Sequence, residues 1–530
     1  MLSKLYIENF KGFSKFSLDL KSDLNILVGN NEAGKSSILE AIALVLTKRI
    51  DGRQLDGELT PYLFNKDVVD QYVSAIQAGE KPLLPRITIE AFLTDSESVR
   101  ILRGSHNHER ADAIGIRLDI GFNEDYAEEY KALLEKRDQI KTLPTEYYTA
   151  SWCSFAGAAV TPRGIPVGLS FIDATTIRLQ SGTDFYLQSI ISTGLEAKER
   201  AALSVAYRNF KEQFSDQPAI KSINDKLTQR RGAITDKELA IAIDMSQRSN
   251  WESSLVPHLN DLPFQFIGKG EQSALKIMLA LDRQASDANV ILIEEPENHL
   301  SFSSMQKLIQ KIAEKCDGKQ IIITTHSAYV LNKLGLENTI LLHGGQTTRI
   351  TDLPSDTATY FKKLSGYDTL RLILADRAIL VEGPSDELIV QKAYLAKHGR
   401  LPSADGVDVI NVRGLSFARF LDIAKALKKP VAVVTDNDGD HQKNVVDKYS
   451  SYADSNWIRI CADSDNSART LETQLVRCND LDIVGRAIGK TFADSNELVA
   501  YMIANKTEWA LRVFESDVPI KFPEYIQRAL

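Results

Sequence analysis

The sequence predicts an α/β protein: a P-loop lobe carrying a helical insertion, then a Rossmann-like second domain and a helical C-terminal segment. Three observations lead there. Gly29-Asn30-Asn31-Glu32-Ala33-Gly34-Lys35-Ser36 fits the phosphate-binding loop pattern, between an apolar run and a helix-forming stretch. Apolar runs at 290–293, 320–325 and 339–342 alternate with helix-forming segments, as in a sheet covered by helices. A fresh strand–helix alternation begins at Ala378 and continues to about residue 461. The 530 residues exceed what one core organises. The expected division is a first domain over 1–355, a connector over 356–376 and a second domain over 377–530.

Leu24-Asn25-Ile26-Leu27-Val28 reads as a buried strand, and Ser36 to Ile42 opens a helix. Pro85 to Leu93 is a further strand at a β-rich edge of the first lobe. From about 124 to 142 the chain is charged and helix-forming, and residues 195–250 are again largely helical and polar, with a break at Arg230-Arg231-Gly232; the two belong to one insertion over about 124–250. No heptad pattern persists there, which excludes a long coiled-coil arm. This stretch is expected to be a helical insertion used for dimerisation.

Hydrophobic content of 43% and charged content of 25% are ordinary for a soluble globular chain. No window approaches the ~18 apolar residues of a membrane span. Met1 to Ile7 alternates like a strand and lacks the apolar core of an export signal. Cys153, Cys316, Cys461 and Cys478 form no CxxC pair, which argues against a zinc ribbon or a disulfide framework. A reduced, cytoplasmic protein without a membrane partner is expected. The net charge of −8 does not decide against nucleic acid, because a local basic surface binds phosphates whatever the total.

In the P-loop, glycines let backbone N–H groups wrap phosphates while the following helix start supplies a favourable dipole. Asn30, Asn31, Gly34, Lys35, Ser36 and Ser37 are the candidate ATP contacts. Lys35 would reach the β- and γ-phosphates, and Ser36 would ligate Mg²⁺. Ile291-Leu292-Ile293-Glu294-Glu295 has the form of a Walker B strand, in which Glu294 holds Mg²⁺ and Glu295 polarises the attacking water. His326 follows Ile321 to Thr325, where a strand end would present it to the γ-phosphate. Gly268-Lys269-Gly270-Glu271-Gln272 resembles the signature loop of ABC-type ATPases, and Ile7 to Phe13 resembles the opening of RecF- and SMC-like members. That resemblance implies that Gly270 of one subunit closes over ATP held by another, hence a homodimer or higher homo-oligomer built through the ATPase domain. Gly268 stands where the family has serine.

Glu382 ends the apolar run Ala378 to Val381, and Asp436 and Asp438 close the run Val431 to Thr435. Acids gathered at the C-terminal ends of parallel strands repel one another unless divalent cations neutralise them, and hard oxygen ligands favour Mg²⁺ or Mn²⁺. Two such ions about 4 Å apart can stabilise both the attacking and the leaving oxygen of a phosphodiester. Asp386, one helical turn after Glu382, would complete the set, with Asp440 at its border.

Val381-Glu382-Gly383-Pro384-Ser385-Asp386 with Asp436-Asn437-Asp438 resembles the Toprim domain of topoisomerases, primases and some nucleases. An ABC-type ATPase followed by Toprim is similar to the overcoming-lysogenisation-defect (OLD) nucleases. Within that resemblance Thr470-Leu471-Glu472 matches a second metal-binding segment, with Glu472 as ligand and Thr470 as helper. Lys506-Thr507-Glu508-Trp509 matches a late lysine motif, so Lys506 would stabilise charge building on the phosphate. The family implies an ATP- and metal-dependent DNA endonuclease in anti-phage defence, with a helicase or reverse transcriptase partner encoded nearby. A topoisomerase- or primase-like enzyme is the first alternative, but none of the 17 tyrosines is marked by context and no zinc spacing exists. An ATP-gated DNA clamp or sensor is the second, and a binding module has no need of clustered acids.

Overall fold

The structure is a computed structural model that describes residues 1–50, 53–135, 137–162, 164–173, 179–180, 183–184, 195–228, 240–244, 251, 256–282, 290–314, 318–343, 345–350, 353–363, 369–413 and 416–530. The break expected at Arg230 to Gly232 lies outside them. The chain forms two compact units, Met1–Leu24 with Ser36–Ile323, and Asn25–Lys35 with Thr324–Leu530. Among the described residues no helix is long and apolar enough to cross a membrane.

Three strands open the chain: β1 (Leu2–Phe10), β2 (Phe13–Asp19) and β3 (Leu24–Gly29), which is buried throughout. Helix α1 (Lys35–Thr47) follows the P-loop. In the first unit, β1 and β2 join β4 (Ile87–Leu93), β5 (Ala113–Phe122) and β6 (Tyr148–Ser154) in an antiparallel sheet ordered β2-β1-β4-β5-β6. β7 (Leu169–Asp173) runs parallel to β8 (Val290–Glu294), and β9 (Gln320–Thr324) is the next strand beyond β8. The buried run Val290 to Ile293 is what a parallel strand covered on both faces requires.

The insertion expected over about 124–250 is therefore not helical throughout, since β6 and β7 lie between its two helix-forming stretches. Tyr148, Ala150 and Trp152 are buried while Thr149 and Ser151 are exposed, the period of a strand with one face covered. Trp152 Nε1 donates to the carbonyl of Val45 at 2.8 Å, which anchors β6 beneath α1. The helical part is carried mainly by α2 (Ala197–Ser215) and α3 (Pro218–Thr228). Helices α4 (Lys269–Asp282) and α5 (Phe302–Glu314) flank the β8 segment in sequence.

In the second unit, β3 lies parallel to β10 (Thr339–His343), which turns back antiparallel into β11 (Gln346–Arg349). Helix α6 (Ala328–Leu334) is N-capped by Ser327, whose hydroxyl accepts from Val330 N–H at 3.4 Å. The expected connector holds α7 (Ser355–Lys363) and α8 (Thr369–Leu374). Then come β12 (Arg377–Val381), α9 (Pro384–His398), β13 (Val407–Asn411), α10 (Phe417–Leu427), β14 (Val431–Val434) and β15 (Ile458–Cys461). The four strands are all parallel, ordered β13-β12-β14-β15. In that order the chain reverses its winding between β12 and β14, and the loops there part to leave a crevice at the strands' C-terminal ends. Helices α11 (Leu471–Arg477) and α12 (Lys506–Glu515) complete the packing around buried Trp509. Lys392 Nζ donates to the carbonyls of Phe514 and Ser516 at 3.0 and 2.7 Å, tying α9 to the end of α12.

Helix α6 meets α8 through a fully buried hydrogen bond from Thr369 Oγ1 to Asn332 Oδ1 at 2.6 Å. Thr369→Val keeps the shape and removes this donor from the buried Asn332 amide oxygen. It is expected to destabilise the second unit by about 1–3 kcal/mol, read as a lower urea midpoint; an unchanged midpoint would show that water or another donor replaces the hydroxyl.

Candidate active site

Glu382 leaves the end of β12, and its Oε1 accepts from Thr435 Oγ1 at 2.5 Å and from Asp436 N–H at 3.4 Å. That contact bridges the two strands at the crevice. Asp386 lies in the first turn of α9, where its Oδ2 accepts from Gly383 N–H at 3.1 Å. Asp438 takes a left-handed backbone, φ 49°, followed by Gly439 at φ 85°; such a turn is costly for a residue with a side chain and is common at functional sites. Glu472 is buried in the first turn of α11.

Between the two aspartates, fully buried Asn437 holds the surroundings together. Its Nδ2 donates to the carbonyls of Asp463, Asp465 and Ala468 at 2.9, 2.9 and 3.2 Å, and its Oδ1 accepts from Gly439 N–H at 2.8 Å. Its own carbonyl accepts from Asn444 Nδ2 at 3.0 Å, inside a π-helical turn over Gln442–Asp447. The loop leading to Glu472 is thus fastened to the turn that carries Asp436 and Asp438.

Burial first, then the charges of Asp386, Glu382, Glu472 and Asp438, push the Asp436 carboxyl up to about 9. Burial and the charges of Glu382 and Glu472 push Asp386 up to about 7, against the pull of the N–H groups at its helix start. The charges acting on both are carboxylates, so the five predicted acids Glu382, Asp386, Asp436, Asp438 and Glu472 share one electrostatic environment. Among the described residues they do not converge as three or more ligands on one point, for Glu382 is turned to Thr435 and Asp386 to its own helix. The donor set still fits a divalent cation, because hard, mutually repelling oxygens are what such a cation neutralises. Lys506 is exposed at the start of α12 and is not among the charges that shift Asp386 or Asp436.

At the nucleotide site, Lys35 is buried and its Nζ donates to the carbonyls of Gly29 and Asn30 at 2.9 and 3.1 Å. A Cβ at Gly29 would lie 2.8 Å from the Leu342 carbonyl oxygen, so the loop closes against β10 only through glycine, and Gly34 turns the loop at φ 88°. Asn30 and Asn31 are exposed on the loop, and Ser37 is partly buried on the second residue past Lys35. In the first unit Ser36 Oγ donates to Glu294 Oε1, which joins the helix start to the end of β8. Glu295 has φ 45°, and Asn298 Nδ2 donates to its Oε2 at 2.5 Å. A Cβ at Gly270 would come within 2.2 Å of the His299 carbonyl oxygen, so α4 can pack there only through glycine. Nothing lies within 4 Å of a Cβ built at Gly268, which leaves room for the serine usual in ABC-type ATPases. In the second unit His326 is exposed and lines a cavity of about 540 Å³ with Arg371, Leu374, Ser403 and Asp408.

Residues 1–159 match the AAA ATPase domain family, and residues 199–332 match a further AAA domain family described with the AbiEii toxin. Residues 373–438 match the overcoming lysogenization defect protein-like TOPRIM domain. The chain joins an AAA-type ATPase to an OLD-like Toprim domain. Endonuclease GajA of Bacillus cereus (strain VD045) is 20% identical over 459 residues, which cover 82% of this chain and 75% of that protein. The ATP/GTP phosphatase of Helicobacter pylori (strain 26695) is 23% identical over 356 residues, 62% of this chain and 85% of that protein. Among solved structures, an SMC head bound to the C-terminal winged-helix domain of ScpA covers 66% of this chain and 96% of its own, at 16% identity and a TM-score of 0.34.

In the Toprim domain, sequence reasoning missed Asn437, Thr435 and Asn444. Their role is to place other groups, and the signal available was only the polar residue between two aspartates. Because Asp436 and Asp386 are pushed upward, the metal-free Toprim domain retains protons at neutral pH that a divalent cation must displace. Apparent Mn²⁺ affinity is therefore expected to rise between about pH 6 and pH 9, with proton release visible by calorimetry in buffers of different ionisation enthalpy. Binding that is flat over that range, with no buffer dependence, would contradict the carboxylate coupling.

Proposed function

We propose that this protein is an ATP-controlled, divalent-metal-dependent DNA endonuclease of the OLD type whose cutting centre is the Toprim crevice. The observation that supports this most is that the charges of Glu382 and Glu472 bear on both Asp386 and Asp436, with Asp438 bearing on Asp436, at the winding reversal of a parallel sheet, in a chain that also carries a P-loop and Walker B pair. Glu382, Asp386, Asp436, Asp438 and Glu472 would hold Mg²⁺ or Mn²⁺. When bound, the cations supply charge stabilisation for the attacking and leaving oxygens of a phosphodiester. Thr435 fixes one oxygen of Glu382 and leaves the other to take the proton of the attacking water. Lys506 is assigned to charge on the phosphate, as its motif implies.

At the nucleotide site Ser36 and Glu294 would hold Mg²⁺ with ATP; Lys35, Asn30, Asn31, Gly34 and Ser37 contact the phosphates, and Glu295 orients water. His326 is assigned to the γ-phosphate and Gly270 to the signature loop that closes a homodimer or higher oligomer. The similarity to endonuclease GajA favours DNA as substrate, and the OLD likeness favours an anti-phage role in the cytoplasm, with a helicase or reverse transcriptase partner.

Plasmid nicking with Mg²⁺ or Mn²⁺ tests the assignment. Glu382→Ala and Asp436→Ala are expected to cut slower by on the order of 10²-fold or more while hydrolysing ATP normally. Lys35→Ala should lose ATP hydrolysis and the response of cutting to nucleotide, with Mn²⁺ binding at the Toprim domain retained. Wild-type protein that cuts no faster than the two carboxylate variants would leave a DNA clamp without nuclease activity.

A further inference from the structure

Arg469 stands apart from the other arginines near the acidic crevice. It is exposed, and among the described residues its guanidinium has no ion pair and no hydrogen bond. Arg477, which follows in α11, is committed to Asp463 and Asp465, the latter at 2.7 Å. The backbone of Arg469 is fastened to the site, for its carbonyl accepts from Asp438 N–H at 3.3 Å. Its stem lies against Gly439: a Cβ there would stand 3.0 Å from Arg469 Nε and 3.2 Å from Cδ. Glycine at 439 therefore serves two purposes, its left-handed φ and the space for this side chain. Asn437 holds the same loop through the carbonyls of residues 463, 465 and 468.

A fixed, exposed guanidinium beside five carboxyls would ordinarily be drawn into an ion pair. Among the described residues no ion pair joins Arg469 to Glu382, Asp386, Asp436, Asp438 or Glu472, so its charge is not spent on the acid cluster. Its planar fork matches a phosphate bidentately, and a stem held in place reduces the entropy lost on binding.

We infer that Arg469 is a substrate-positioning residue that grips a backbone phosphate of the polynucleotide next to the one cut at the acid cluster. This rests on the nuclease reading for its substrate class. The acids bring cations to the scissile phosphate, and Arg469 supplies the rim contact that sets the strand's register over them. It acts on binding and not on bond breaking.

The experiment measures binding of a fluorescent DNA duplex in EDTA across a salt series, alongside plasmid cutting in Mg²⁺. Arg469→Ala is expected to weaken binding about tenfold and to reduce the slope of log Kd against log salt by about 1, the effect of one lost phosphate contact. Arg469→Lys should restore most of the slope, because the charge returns without the fork. In cutting, KM should rise with kcat within about twofold, and Mn²⁺ titration should be unchanged. An unaltered salt slope in Arg469→Ala overturns the inference even where wild-type protein cuts DNA. A fall in kcat with KM unchanged overturns it as well, and moves Arg469 into the chemistry. Wild-type protein that binds DNA with an Arg469-dependent slope but never cuts defeats the nuclease reading and leaves this contact standing.

Discussion

Burial and the charge of neighbouring carboxylates, acting together on Asp386 and Asp436, constrain the second half of this chain. Five acids brought to one crevice oppose folding wherever they ionise, and the protein holds them there by other means. Apolar packing of Ile379, Val381, Ala432 and Val434 aligns the strands from which Glu382 and Asp436 emerge. Thr435 satisfies one oxygen of Glu382, and Asn437 locks the Glu472 loop against the Asp436–Asp438 turn. Burial first, and then repulsion from the neighbouring carboxylates, leave Asp386 and Asp436 resisting the loss of their protons. A divalent cation held by these oxygens would relieve that repulsion by balancing their charge.

The nucleotide half uses related devices at lower charge. Ser36 joins the helix after the P-loop to the acid that ends β8, so the two sequence motifs meet through one hydrogen bond. Glu295 keeps a left-handed backbone and is steadied by Asn298. Asp438 in the second unit has the same unusual φ sign. Both candidate sites thus hold an acid at a turn where most residues with side chains are disfavoured, and where a carboxylate can leave the strand direction sharply.

Much of this was readable from sequence because the signals are local. The P-loop, the Walker B run and the acids after Val381 and Thr435 each lie within a few residues of the strand that presents them. What escaped depends on pairing across long separations. Strands β6 and β7 lie between the two helix-forming stretches of the expected insertion and went unread, since what completes them is pairing with β5 and β8. Asn437 and Arg469 are ordinary polar residues until the loop over 463–469 is folded onto the 436–439 turn. Glu472 and Lys506 came only from likeness to a family; the structure gathers Glu472 with the acids and leaves Lys506 exposed at the head of α12.

Strand β3 and the P-loop belong to the same compact unit as the Toprim domain, although nearly three hundred residues of the other unit intervene. On a ribosome, the second unit cannot close when its early strand emerges; residues 25–35 must wait for the stretch from Thr324 onward. The first unit meets the opposite difficulty, because its opening strands are made before that wait begins. Residues 25–35, made early, thus find the rest of their unit only once the stretch from Thr324 onward exists.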